Sequence, residues 1–285
     1  MSIDASVFQG LSWNLATDVR GLFAYHFMGN ALEAGTSVAV LAGAIGWFMV
    51  LRRQTFAGHT LAVIAFPGAA GATLAGLPLL LGYFGACGAG ALALAGVSAD
   101  RGGSHGRESA ATGTVQAFGL GLGFLFVQLY HGLLNGLQAL LFGTFLGISD
   151  TQARTLVGVS AATLLLLALA ARPLFFASVD PDVARAAGVP VRALSFGFLL
   201  LLGLAVAATS QITGALLVFA LLVTPAAAAQ RLTSRPLAGL ALSIAIGLAV
   251  TWVGLALAYY SIYPVGFWVT SLAFAVYVVV RVVRR

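Results

Sequence analysis

Long apolar stretches recur along the chain at short intervals. The shortest of them, 193–209, has 17 residues, close to the roughly 20 that a helix needs to cross the hydrocarbon core of a bilayer. The pattern therefore predicts about nine transmembrane helices, at about 29–51, 57–76, 78–98, 113–132, 154–171, 193–209, 212–230, 237–258 and 263–281.

The composition supports a membrane protein and excludes several other classes. Only 8% of the 285 residues are charged and 60% are hydrophobic, whereas about a quarter of a soluble globular chain is charged. The mean hydropathy is +1.02. The 35 glycines have no triplet period and Cys87 is the only cysteine, which excludes collagen and a disulfide scaffold. We predict an all-α polytopic membrane protein.

Two stretches do not fit the simple pattern of spans. Residues 1–24 mix charged and aromatic side chains and lack the basic start and cleavage site of a signal peptide. We predict that they form an interfacial segment before one transmembrane domain over 25–285. The stretch 134–148 is apolar but broken by three glycines, and we expect it to lie at the membrane interface. The polar stretch 99–112 is expected to be a flexible connector.

The arginines decide the orientation. With nine spans and the N-terminus outside, twelve of the fourteen basic residues fall on one side, as the positive-inside rule requires of the cytoplasmic side. Only Arg20 and Arg154 fall outside. The C-terminus is therefore predicted to be cytoplasmic, and the pI near 10.1 reflects topology rather than nucleic-acid binding.

Missing residue types exclude some chemistry. The chain contains no lysine, so it can hold neither a Walker A phosphate loop nor a Schiff-base lysine. The HExxH, GxSxG and CxxC motifs are also absent. We therefore expect no enzymatic activity and no resident cofactor. If ATP drives this protein, a separate subunit must carry the ATPase.

A short helix is predicted in a cytoplasmic loop, within SVDPDVARAAGVP (178–190). Asp180 has the position of an N-cap, Pro181 that of the first helical residue, and Gly188 that of the residue after the C-cap. A capped helix that faces the cytosol is typical of a docking element, although a simple surface connector would have the same signals.

Few ionisable side chains lie within the spans: Glu33, His59 and His131. Such residues usually face a cavity or a partner because a charge at the bilayer centre costs roughly 3 kcal/mol or more. Carboxylate and imidazole are also ligands of divalent metals. We predict these three residues as metal ligands, with packing roles as the alternative. Glu33 and His59 are at different depths, so they are not expected to share one ion.

Several segments together resemble the manganese/zinc/iron-type ABC-transporter permease family. They include residues 27–76, LFGTFLGIS (141–149), VDPDVARAAGVPVRAL (179–194), ITGALLVFALLVTPAAAAQRL (212–232) and YYSIYPVGFW (259–268). The blocks occur in the order of that family and cover most of the chain. The resemblance implies the fold of the vitamin B12 permease and the membrane-spanning subunit of a bacterial divalent-metal importer, in the plasma membrane.

The resemblance also implies partners. Such permeases are homodimers that pair with cytoplasmic ATPase subunits and an extracytoplasmic metal-binding protein. The short helix would be the coupling helix, which contacts the ATPase and moves the two halves of the transporter. Its residues here are Asp180, Pro181, Asp182, Val183, Ala184, Arg185, Ala186, Ala187 and Gly188.

The metal path departs from the family pattern. The position of His59 is usually Asp in the family, that of Val63 is usually His, and that of Glu33 is generally apolar. An imidazole in place of a carboxylate favours zinc over manganese as the cargo. The alternatives are a secondary transporter driven by an ion gradient, a membrane-embedded enzyme, and a permease of the same fold that carries a chelate or an organic cargo.

Overall fold

The computed structural model describes residues 25–99, 105–130, 143, 147–214 and 217–284, and these contain helices and no strand. The all-α prediction is confirmed. Ten helices are present in these ranges: α1 His26–Leu51, α2 Thr55–Leu74, α3 Leu79–Ala99, α4 His105–Leu129, α5 Asp150–Val179, α6 Pro181–Ala186, α7 Val191–Thr213, α8 Val218–Leu232, α9 Pro236–Tyr259 and α10 Val265–Val283.

Eight of these helices are long and apolar enough to cross a membrane, and α8 is a shorter apolar helix of 15 residues. Together they confirm a polytopic fold with about nine membrane helices. The remaining helix, α6, has six residues and lies between α5 and α7.

The predicted span 212–230 is wrong at its start. Ile212 and Thr213 belong to the end of α7, which runs beyond the predicted limit at residue 209. Gly214 ends that helix with a φ of +73°, a left-handed conformation that side-chain-bearing residues rarely adopt. The next helix, α8, therefore begins only at Val218.

Three prolines lie inside helices without ending them. Helix α5 contains 30 residues and continues through Pro173 to Val179, two turns beyond the predicted end at residue 171. Helices α2 and α8 likewise continue through Pro67 and Pro225. Membrane helices tolerate proline where neighbouring helices, side chains or local adjustments satisfy the freed backbone groups.

The connector predicted over 99–112 is also too long, because α3 includes Ala99 and α4 begins at His105. The interfacial segment predicted over 1–24 and the candidate ligand His131 lie outside the described residues. So does most of the stretch 134–148, of which the structure describes residues 143, 147 and 148.

Helix α1 lies at the centre of the bundle and packs against α5, α7, α8 and α9. Two glycines allow the close approach. A Cβ at Gly46 would overlap the carbonyl oxygen of Leu222 on α8, and one at Gly43 would lie 2.8 Å from the Cα of Ile244 on α9. The Ser243 hydroxyl donates to the Gly43 carbonyl over 2.8 Å. Close contact between small residues, rather than the exclusion of water, thus holds these helices together inside the membrane.

Helices α2, α3 and α4 form a second group beside this centre, and α3 also packs against α7. Gly68 on α2 and Gly82 on α3 bring their backbones together, since a Cβ on either would collide with the other's carbonyl group. Large apolar side chains on α4, α5 and α10 remain exposed on the outside, such as Phe118, Leu169 and Phe274. These faces suit contact with lipid.

Candidate functional site

His59 lies in the second turn of α2 and is less exposed than Glu33, the other predicted metal ligand that the structure describes. Its Nε2 atom is 3.2 Å from the side-chain amide of Gln116 on α4. Its ring contacts the Phe219 ring on α8 with centroids 4.9 Å apart. Its Nδ1 atom is buried and has no hydrogen-bond partner in the described part of the chain. Three helices therefore meet at this imidazole.

The orientation of the Gln116 amide decides which ring nitrogen is free, and an amide orientation is assigned from its partners. The structure places the Gln116 amide nitrogen at His59 Nε2 and the amide oxygen 3.4 Å from the Thr60 hydroxyl. Thr60 donates its single hydroxyl hydrogen to the Phe56 carbonyl at 3.0 Å, so the Gln116 oxygen has no hydrogen to accept there. Exchanging the amide nitrogen and oxygen removes this conflict, because Gln116 then accepts from Nε2–H, its NH₂ donates to Thr60, and Nδ1 keeps a free lone pair.

A free lone pair on a neutral imidazole is the donor that borderline divalent metals bind. Val63 follows His59 by one turn on the same face of α2 and is buried, with 7% of its surface exposed. It offers no donor atom. The described residues around His59 thus offer a single nitrogen donor atom and polar groups that hold its ring in place.

Glu33 lies in the second turn of α1, far from His59. About 27 Å of helix separates Glu33 from the end of α1. His59 comes soon after that end, one short turn and one helical turn further along the chain. The Glu33 side chain is exposed. The expectation that Glu33 and His59 do not share one ion therefore agrees with their placement.

Within the described ranges, no group of three or more His, Cys, Asp or Glu residues is arranged to hold a metal ion. The structure thus does not bring together the sequence-predicted ligands His59 and Glu33. A metal ion bound at His59 would need further ligands from waters, backbone carbonyls or residues beyond the described ones.

The short helix α6 has the predicted caps. The Asp180 carboxylate accepts from the backbone N–H groups of Asp182 and Val183 at 3.1 and 3.0 Å, with Pro181 as the first helical residue. Gly188 ends the helix with a φ of +82°. Both termini are therefore satisfied locally, as a six-residue helix requires.

Helix α6 has one buried face and one exposed face. Ala184 is fully buried and packs with Ala177 of α5 and Val191 of α7 in a small apolar cluster. The opposite face presents an ion pair between Asp182 and Arg185 at 3.0 Å and the half-exposed Val183. The helix is thus fixed to the ends of two long helices while its outer face is free to bind.

Arg52, just after α1, joins the same helix ends. Its guanidinium donates to the hydroxyls of Ser178 and Ser195, at 3.0 and 2.8 Å. It also lies 5.4 Å from the centre of the Phe198 ring, a favourable cation–π distance. Burial lowers its pKa from the ordinary value. This residue connects α1, α5 and α7 around the base of α6.

A second polar cluster lies at the other end of α1. The Asp150 carboxylate, at the start of α5, accepts from Asn30 at 2.6 Å and pairs with His26 at 2.8 Å. Asn30 also donates to the Ile148 carbonyl at 3.2 Å. Residues that begin α1 and α5 therefore lie on one side of the bundle, opposite Arg52, as the predicted topology requires.

Sequence reasoning missed Gln116 and Thr60, which hold His59, and assigned Arg52 only to the charge bias. The available signal for Gln116 was an amide within an otherwise apolar span. Intramembrane polar residues tend to face protein interiors, so Gln116 was a candidate partner for a polar group on another helix.

The chain matches the ABC 3 transport family over residues 24–284. Among curated relatives, it is 32% identical over 222 residues to the manganese transport system membrane protein MntC of Halalkalibacterium halodurans, covering 78% of this chain and 75% of that protein. It is 30% identical to a probable iron transport system membrane protein of Haemophilus influenzae, covering 83% and 86% of the two chains.

Solved structures agree with these matches. PsaBC from Streptococcus pneumoniae in complex with Fab superposes with a TM-score of 0.83 at 29% identity, covering 93% of this chain and 95% of that one. An inward-facing metal-chelate type ABC transporter superposes with a TM-score of 0.69 at 18% identity, covering 92% of this chain and 88% of that one, and supports the fold alone.

The chain belongs to the ABC 3 transport family. The resemblance to metal-type ABC permeases is confirmed. As a multi-pass member of a permease family, the protein is a transporter component rather than a catalyst.

Proposed function

We propose that this protein is the membrane-spanning subunit of an ATP-driven importer of divalent metal cations in a bacterial plasma membrane. The observation that carries the proposal is family membership over residues 24–284. Separate cytoplasmic ATPase subunits supply ATP hydrolysis, because this chain has no lysine for a phosphate loop. An extracytoplasmic binding protein delivers the cation, and two copies of this chain form the path.

His59 is the proposed contact for the cation along that path. Its buried Nδ1 has no partner among the described residues, and the Gln116 amide lies at Nε2. In this role Gln116 acts as a positioning residue. It holds the tautomer with a free Nδ1, as the outer partners of metal-bound histidines do. Phe219 limits rotation of the ring.

The choice of metal is the finer part of the proposal. The relatives named above are manganese and iron proteins, whereas an imidazole that replaces a carboxylate favours zinc over manganese. The preference for zinc therefore rests on the ligand chemistry of His59 alone.

Glu33 is proposed as a second contact, near the opposite end of the path. Its carboxylate is exposed on the isolated chain, and a carboxylate at this depth requires a cavity or a protein partner rather than lipid. In the proposed homodimer, that surface of α1 faces the central path. His131, beyond the described residues, remains a proposed ligand from the sequence.

Helix α6 is proposed as the coupling helix. Its buried face is fixed to α5 and α7 through Ala184, and its outer face offers Val183, Asp182 and Arg185. When the ATPase subunits close, force on this outer face moves α5 and α7 together. That motion alternately opens the path to each side.

The test is metal uptake by proteoliposomes that contain this chain, its ATPase and its binding protein, with zinc, iron and manganese each measured with and without ATP. We expect ATP-dependent uptake, and His59→Ala should abolish it while the complex still assembles. His26→Ala, which removes an exposed imidazole, is the matched control and should transport normally. Uptake without an ATPase would instead indicate a secondary transporter.

Two further variants distinguish the proposed metal path at His59 from the proposed coupling role of α6. Gln116→Leu should reduce uptake and alter the metal preference while leaving ATPase association intact. Replacing Asp182 and Arg185 together with alanine should weaken ATPase association, whereas Arg235→Ala, on the loop between α8 and α9, should not. An intact complex with normal transport in the double variant would remove α6 from the coupling role.

A further inference from the structure

A cavity of about 940 Å³ lies between the ends of α1, α5 and α7, beside the base of α6. Its volume is within the range of about 300–1,000 Å³ that small-ligand sites occupy. The ends of four long helices border it, since Ala95 in the last part of α3 also contributes. The cavity is therefore at the membrane boundary.

The lining of the cavity is cationic. Four arginines line it, Arg52, Arg53, Arg185 and Arg192, and no acidic residue among the described ones does. Arg185 pairs with Asp182. Arg53 and Arg192 are exposed and form no ion pair with any residue in the described part of the chain. At least two positive charges thus face this space without compensation.

Two buried polar atoms near the cavity also lack partners. The Nε–H of Arg52 is a donor and the Oε1 of Gln54 is an acceptor; both atoms are buried, and neither has a hydrogen-bond partner among the described residues. Both residues line the cavity. These two atoms have no exposed surface, so contacts with a ligand fall to the exposed lining residues.

The rim of the cavity is apolar. Val179 and Phe196 line it and expose 61% and 45% of their surfaces, and Leu51 at the end of α1 also contributes. An anion-binding pocket with an exposed apolar rim at the end of membrane helices suits a molecule with a charged head and acyl chains. Basic pockets between membrane helices bind anionic lipid headgroups by the same combination.

We propose that this cavity binds the phosphate-bearing headgroup of an anionic glycerophospholipid, with Arg53 and Arg192 as the main phosphate contacts. The acyl chains lie along Val179 and Phe196. Because Pro181 and Arg185 of α6 also line the cavity, the bound lipid contacts both the coupling helix and the long helices that it joins.

The test uses the full chain, purified, delipidated and titrated in detergent, with bound molecules counted by native mass spectrometry. The probes are phosphatidylglycerol, phosphatidylcholine with the same acyl chains, and glycerol 3-phosphate as the free anion. We expect phosphatidylglycerol to bind at least about tenfold more tightly than phosphatidylcholine. Arg53→Gln with Arg192→Gln should weaken its binding about 30-fold, because each arginine near the headgroup contributes roughly fivefold.

The control is the double variant Arg235→Gln with Arg281→Gln. It removes the same charge from exposed arginines at the same end of the bundle that do not line the cavity. It should bind phosphatidylglycerol within about threefold of the unaltered protein. All four substituted arginines are exposed, so folding should be preserved, and unchanged melting temperatures would verify this.

Three outcomes would overturn the proposal. Equal affinity for the two lipids, or equal losses in both double variants, would show that the cavity does not select an anionic headgroup. Complete displacement of phosphatidylglycerol by equimolar glycerol 3-phosphate would indicate a site for a soluble anion. Loss of the bound lipid on addition of the ATPase subunit would mean that the cavity belongs to the subunit interface.

Discussion

The two ends of helix α1 are held by opposite arrangements. At the end where α1 begins, a histidine pairs with Asp150, and the two side chains are 80% and 52% exposed. At the other end, Arg52 donates to two serines from α5 and α7 and contacts the Phe198 ring. Exposed ion pairs contribute little because water competes for both partners. Partly buried charged hydrogen bonds contribute more.

This difference indicates which end can open. The His26 end can separate at a small cost in free energy, whereas the Arg52 end connects three helices and the base of α6. A transporter that alternates between two open states needs at least one end that separates easily. It also needs a rigid link between the site of force and the moving helices.

The largest expected effect is at the rigid end. Arg52→Ala removes two hydrogen bonds and the contact with Phe198, so the free energy of unfolding should fall by about 3 kcal/mol. Arg52→Lys keeps the charge but cannot reach both serines. Its free energy of unfolding should therefore lie between those of the unaltered protein and Arg52→Ala. Thermal melting of the purified variants checks this order. Equal melting temperatures for the unaltered protein and both variants would show that Arg52 does not hold this end rigidly.

The next largest loss of stability is expected for Asn30, the buried residue of the polar cluster where α1 begins. Asn30 is 8% exposed and donates to the Ile148 carbonyl. Asn30→Ala should cost about 1 kcal/mol through loss of the bond to Ile148, and it also removes the bond to the exposed Asp150 carboxylate. Ser37→Ala, two turns further along α1, removes only a bond to the carbonyl three residues earlier and serves as the control. A loss as large as that of Arg52→Ala would make the two ends equally rigid.

A smaller and more local effect is expected for the cap of α6. Asp180→Ala removes the acceptor for the N–H groups of Asp182 and Val183. An N-cap contributes about 1 kcal/mol, but only six helical residues depend on it. Hydrogen exchange at the two amides should accelerate about fivefold while the melting temperature hardly changes. Unchanged exchange would show that packing by Ala184 alone maintains the helix.

The smallest effect is expected for His26→Gln. The histidine side chain is largely exposed and Asn30 still holds Asp150, so neither melting temperature nor its salt dependence should change measurably. The same scan in 50 mM and 500 mM salt checks this. A clear loss of stability at low salt would show that this end is held more firmly than its exposure indicates.

The reasons why some features could be predicted differ between regions. The caps of α6 depend on residues within nine positions of one another, so Asp180, Pro181 and Gly188 identify the helix directly. The spans depend on average hydropathy, which predicts their number but not the stop at Gly214 or the passage through Pro173. These depend on backbone conformation and on packing from other helices.

The polar site could be predicted only in part. His59 is conspicuous as an ionisable residue in an apolar span, but its partner Gln116 is 57 positions away. Arg52 meets serines 126 and 143 positions away. Single-sequence patterns report on local periodicity and not on which helix faces match. The ligand could therefore be nominated from the sequence, whereas the residues that orient it required the structure.

The length of α8 has a consequence for the electric field across the membrane. Fifteen residues span about 22 Å, whereas the hydrocarbon core of a bilayer is about 30 Å thick. If water or headgroups fill the uncovered thickness, they would approach one end of α8 more deeply than elsewhere. The membrane potential would then fall over a shorter distance beside this helix, which would concentrate the field near Phe219 and the neighbouring His59. A cation there would experience the voltage more steeply than in a barrier of uniform thickness.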